Sequence, residues 1–171
     1  MSHVLLSSLF FLLLSGCGYH TAGSATHIPP DVRTLAVPVF ATHVQAFHTE
    51  MAFTDAVVRE LNSRTRYRVL NSASGSADAT LNGTILAQTA APLTYDAPSG
   101  QTSSYLLTIT AKVILTSHDG RVLYRNDALT FREQYQSTQD LSSFIQEDTA
   151  AVRRLSRDFA KTVVSDMLES F

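Results

Sequence analysis

The sequence predicts an α+β fold, a two-layer sandwich in which two helices pack on one face of a mostly antiparallel sheet. Three observations carry that expectation. From Ser103 to Thr116 the chain alternates: Tyr105, Leu107, Ile109, Ala111, Val113 and Leu115 point one way, and Leu106, Thr108, Thr110, Lys112, Ile114 and Thr116 the other. That is the pattern of a half-buried antiparallel strand with one wet face. Ser117-His118-Asp119-Gly120 follows with the Asp-Gly signal of a hairpin. Two other stretches, 49–64 and 140–169, switch to a period of three to four residues, which is helical.

The chain opens with Val4-Leu5-Leu6-Ser7-Ser8-Leu9-Phe10-Phe11-Leu12-Leu13-Leu14, shorter than the roughly 20 apolar residues that a spanning helix needs. Its length suits the apolar core of a secretory signal, although Met1-Ser2-His3 ahead of it holds no Lys or Arg. Leu14-Ser15-Gly16-Cys17 then resembles the lipobox of bacterial lipoproteins. The resemblance implies cleavage after residue 16, an acylated thiol and a lipid-bearing amine on Cys17. Two acyl chains are about what stable anchoring takes. Gly18 stands where an Asp would, by analogy with enterobacterial lipoproteins, retain the protein at the inner membrane, so the outer membrane is favoured. Residues 17–32, polar and bearing Pro29-Pro30, read as a lipidated tether, and residues 33–171 as one domain.

Within that domain, Arg33 to Phe40 is read as a first strand, with Leu35, Val37 and Val39 alternating and Pro38 facing an edge or bulge. In the helix at 49–64, Phe53, Ala56, Val57, Glu60 and Leu61 share one face, Thr49 is the candidate N-cap, and Glu50 suits the first turn. Tyr67 to Leu70 is a short strand, and Ala79 to Ala91 a third strand made irregular by Gly83 and Ala87. Pro92 to Gln101 reads as a long hairpin loop. Arg121 to Glu133 returns as the next strand, broken by Asn126-Asp127. The final helix, capped by Ser137 or Thr138, carries Leu141, Phe144, Ile145, Val152, Leu155, Phe159, Val163 and Met167.

Composition narrows the function. A formal charge of -2 does not suit nucleic-acid binding by bulk electrostatics. A lone cysteine allows no internal disulfide. His3, His20, His27, His43, His48 and His118 form no helical ligand pair, so no metal site is read. Neither a phosphate loop nor a nucleophile elbow is present, Asp119 reads as a turn residue, and Glu147, Asp148 and Asp158 read as a solvated helix face, so no enzymatic role is expected. No cofactor is called for beyond the covalent lipid. Lys112, Arg121 and Arg125 lie on two strands joined by a tight turn. They either meet on the wet face to receive phosphates or carboxylates, or serve solubility alone. Leu93 and Tyr95, between prolines, either present a partner contact or fold back onto the sheet edge.

In its order of motifs the chain resembles the LptE family of lipopolysaccharide-assembly lipoproteins. The resemblance rests on Cys17-Gly18-Tyr19-His20, Arg33 to Phe40, Ala56-Val57-Val58-Arg59-Glu60-Leu61, Ala77 to Ile85, Pro92-Leu93-Thr94-Tyr95-Asp96 and the long final helix. It implies a non-enzymatic protein of the outer membrane's periplasmic face that sits in a large β-barrel, LptD, plugs it, and binds lipopolysaccharide on its way to the outer leaflet. The alternative reading is a periplasmic adaptor lipoprotein that activates a cell-wall synthase or builds a secretion pore, since a strand like Leu35 to Phe40 before a helix opens those proteins too.

Overall fold

The computed structural model describes residues 28–44, 48–72, 76–95, 97–98, 102–136 and 141–169, with 141–148 described by backbone alone. The signal segment, Cys17, the tether as far as residue 27, and the candidate caps Ser137 and Thr138 lie outside the described residues.

Three long strands make the sheet. Strand β4 (Ala79–Tyr95) pairs antiparallel with β5 (Thr102–Ser117), which pairs antiparallel with β6 (Val122–Gln136). Short strands extend it in parallel: β1 (Thr34–Ala36) lies between β3 (Arg68–Leu70) and β4, and β2 (Ala41–Thr42) pairs with β4 at Thr84 and Ile85. The spatial order is β3-β1-β4-β5-β6. Helices α1 (Thr49–Arg64) and α2 (Leu141–Glu169) cover one face, so the α+β sandwich holds. The alternation read in β5 sets the layering, since Leu107, Ile109, Ala111, Val113 and Leu115 are all buried toward the helices.

The core gathers around Phe159. Its ring lies 4.8 Å from Phe53, 5.7 Å from Phe131 and 6.1 Å from Phe40, the last two edge-on. Such offset and T-shaped packing suits the ring quadrupoles. Phe40 in turn covers Gly83 of β4, where a Cβ would sit 2.4 Å from the ring. The small residue that made β4 look irregular is thus the seat of an aromatic ring.

Four local expectations change. The first strand stops at Ala36, because Pro38 cannot donate to a ladder; Leu35 and Val37 are buried, but Val39 is 60% exposed and Phe40 turns inward instead. Thr49 is not the N-cap: His48 takes that place in a left-handed conformation (φ 56°) with no side-chain cap, and the Thr49 hydroxyl donates to Gln88 Oε1 at 2.8 Å. This ties the start of α1 to β4. The first four residues of the Pro92–Gln101 loop belong to β4, with Pro92 opposite Tyr105 and Tyr95 opposite Thr102. Above Ile85 only β5 pairs with β4 among the described residues, so Pro92 sits on an edge strand, where a missing N–H is tolerated. Lastly, the break at Asn126-Asp127 is a bulge within one continuous β6.

The chain enters the domain beside the β5–β6 turn. Pro29 and Asp31 share an open cleft of about 390 Å³ with His118, Asp119 and Arg121. Asp78 fastens this end: its carboxylate accepts from Thr34 Oγ1 (2.7 Å), Thr34 N (2.8 Å) and Arg33 N (2.9 Å), which hold its carboxyl below the usual range. The Leu93–Tyr95 end of the hairpin is at the opposite pole of the sheet.

Candidate functional site

The sheet face away from the helices is the wet one. On β4 it carries Thr80, Asn82 and Thr84; on β5, Thr108, Thr110, Lys112 and Thr116; on β6, Arg125, Thr130, Arg132 and Gln134. Threonine suits a strand through its branched Cβ and leaves a hydroxyl in solvent. One pair, Thr110 and Thr130, is joined across the strands at 3.0 Å.

A β-bulge organises the charges. Ala111 opposes Leu129 and Val113 opposes Asn126, so β6 has an extra residue across from Lys112. Asn126 Oδ1 accepts from Ala128 N at 3.2 Å and closes the bulge. Between them Asp127 is aimed at two cations. Lys112 Nζ lies 3.3 Å from its Oδ1, and Arg125 Nε donates to Oδ1 at 3.0 Å and to Oδ2 at 2.8 Å. The Arg125 contact first, and Lys112 after it, hold the Asp127 carboxyl below its ordinary range. The carboxylate raises Arg125 in return.

Lys112 and Arg125 therefore do meet on the wet face. Arg121 does not join them. It lies in the hairpin turn, where its backbone N–H donates to Asp119 Oδ1 at 3.2 Å and the residue lines the cleft near Pro29. From Lys112 to Ser117 the strand climbs about 17 Å at roughly 3.4 Å per residue. Asp119 is a turn residue, as read, with Ser117 Oγ donating to it.

Two residues of the face were missed. In the sequence Asp127 reads as part of a strand break, and nothing singles out Arg132. Arg132 is opposite Thr108, exposed, and makes no ion pair among the described residues. Counted by alternation, Arg125 and Arg132 fall on opposite faces; the extra residue of the bulge restores them to one. The sequence signal is Asn126-Asp127, which interrupts the strand between Tyr124 and Leu129.

At the far pole Leu93 is 46% and Tyr95 64% exposed, so neither folds back onto the sheet. Behind them Tyr105 and Tyr135 stack at 5.6 Å, closing the end of the core. No metal-ligating cluster of His, Cys, Asp or Glu occurs among the described residues, and none of their helices is long and apolar enough to cross a membrane.

The family model for LptE, described as lipopolysaccharide-assembly, matches residues 32–167. The chain belongs to the LptE family. No curated protein matches the sequence. Solved structures share the LptE chain's fold at low identity. Lipoprotein B from Nitrosomonas europaea aligns with a TM-score of 0.56 at 13% identity, over 90% of this chain and 94% of that one. A lipoprotein from Caulobacter crescentus gives 0.53 at 11%, over 77% and 89%. The rare lipoprotein B from Shewanella oneidensis gives 0.51 at 12%, over 78% and 95%. At such identities the likeness concerns the LptE sandwich, and the charged face described above stands on this chain's own residues.

Proposed function

We propose that this LptE chain is a lipoprotein of the outer membrane's periplasmic face, anchored through lipid on Cys17. It assembles with and plugs a large β-barrel, LptD, and offers its wet sheet face to lipopolysaccharide during insertion into the outer leaflet. The role is one of binding and assembly, without catalysis. The family match over most of the domain supports the assembly role. The observation that carries the lipopolysaccharide contact is the wet face itself, where Lys112, Arg125 and Arg132 stand among threonine hydroxyls. Phosphates on a sugar backbone need cations and hydroxyl partners, and such a face supplies both.

The first test is affinity purification of a C-terminally tagged chain from detergent-solubilised outer membranes. A near-stoichiometric large β-barrel is the expected partner. Recovery with a cell-wall synthase, or as a homo-oligomer alone, would replace this reading with the adaptor one. The exposed pair at the hairpin pole is the expected contact, so Leu93→Ser with Tyr95→Ser should lower barrel recovery several-fold while the domain stays folded.

A second test addresses the ligand. Changing Lys112, Arg125 and Arg132 together to Ala should weaken binding of purified lipopolysaccharide about tenfold or more, the scale of a single charge-assisted contact. Arg121→Ala should leave it nearly unchanged, because that side chain lies elsewhere. A loss from Arg121→Ala as large as that from any one of the three single changes would show that overall charge matters and the face does not.

A further inference from the structure

We infer that Asp127 is a built-in competitor for the phosphate site on the wet face: its carboxylate occupies the place between Lys112 and Arg125 that an incoming phosphate takes. The inference rests on the lipopolysaccharide reading for its natural ligand, and on geometry alone for the site.

The geometry has three parts. Oδ1 of Asp127 is shared, 3.3 Å from Lys112 Nζ and 3.0 Å from Arg125 Nε, as one phosphate oxygen would be. Two cations face a single carboxylate, so a surplus of positive charge remains after Asp127 is counted. Asp127 is also placed by the fold and not by chance, since the bulge closed by Asn126 and Ala128 holds it opposite Lys112. All three side chains keep a third or more of their surface in solvent, so a ligand can reach them.

A carboxylate held there does two things. It keeps Lys112 and Arg125 together in the absence of ligand, which lowers the ordering cost of binding. It must also be displaced when a phosphate arrives, which weakens binding. Exposed ion pairs are individually weak, so displacement costs little and the ligand is released readily. A protein that hands its ligand on gains from such a site. Arg132 lies outside the reach of this device, at the level of Thr108, and holds its share of the ligand without competition.

The experiment compares the mature, membrane-extracted protein with Asp127→Asn and Asp127→Ser, using purified lipopolysaccharide and, separately, inorganic pyrophosphate as probes. Melting temperature is the folding control and should be unchanged, because Asp127 is exposed. Both variants should bind both probes more tightly, by about fivefold. Lys112→Ala should weaken binding more in the Asp127→Asn background than in the wild type, whereas Arg132→Ala should weaken it equally in both. Weaker or unchanged binding of both probes by both variants would overturn the inference and make Asp127 a positioning residue only. Tighter pyrophosphate binding with no lipopolysaccharide binding by any form would uphold the competitor and remove the lipopolysaccharide reading. Failure of every form to bind either probe would overturn the site.

Discussion

Phe159→Ala should cost about 3–5 kcal/mol of folding stability, the range for a large aromatic removed from a core. Phe159 is fully buried and touches the rings of Phe40, Phe53 and Phe131, which belong to the β1–β2 connection, α1 and β6. One ring therefore joins helix α2 to three separate parts of the sandwich, and no single neighbour can collapse into the space it leaves. A domain of this size has about 5–15 kcal/mol in all, so the variant should lie near the edge of folding. Urea denaturation reads the loss directly, with the midpoint falling and the slope preserved. A loss below about 1 kcal/mol would mean that the cluster repacks and does not act as a keystone.

Gly83→Val is the second large effect. The first carbon of any side chain at Gly83 meets Phe40 Cδ2 and Cε2 at 2.4 Å, well inside van der Waals contact. The ring cannot swing away freely, because Phe159 stands edge-on behind it at 6.1 Å. Overpacking costs about 1–3 kcal/mol for added methylenes, and Val should reach or pass the upper end of that range, with Ala below it. The cause is testable by a double-mutant cycle. In a Phe40→Leu background the added cost of Gly83→Ala should shrink markedly, as the two changes share one space. Additive costs would place the strain in the backbone of β4 and not against the ring.

The two predictions concern residues of very different legibility. Phe159 lies on a stripe that the sequence displays, and α1 is legible from Thr49 to Arg64 because its buried positions recur at helical spacing. Burial on one face imposes that spacing, so periodicity reports it. What lacks a period is not legible in this way. Gly83 looked like a defect because the ring that needs it comes from Phe40, far away in sequence. The cap at His48 depends on a left-handed backbone and on Gln88 holding Thr49, neither of which is local. Pro92 suggests a loop, but a missing donor matters only if both strand edges are paired, and here one is unpaired among the described residues. In the candidate site, the tight turn between two strands puts Lys112 and Arg125 within one reading of the wet face, and it draws in Arg121, which the structure keeps at the turn. Arg132 escapes simple alternation because a single extra residue reverses parity, and only the polar pair Asn126-Asp127 marks where that residue is absorbed.

The opposition of the two poles of the sheet has a mechanical meaning. With lipid on Cys17, covalent geometry lets the chain from Cys17 to Ile28 reach no more than about 40 Å. The β5 strand runs from Ser117, beside the point of entry, to Thr102 at the Leu93–Tyr95 pole, a length of about 50 Å. On the proposed Cys17 anchoring, the hairpin is a boom on a short leash. On that anchoring the foot stays within about 40 Å of the lipid-bearing residue, and the hairpin carries the tip to a distance that the linking chain alone does not reach. Lengthening the leash should change where the foot rests and leave the reach of the boom untouched.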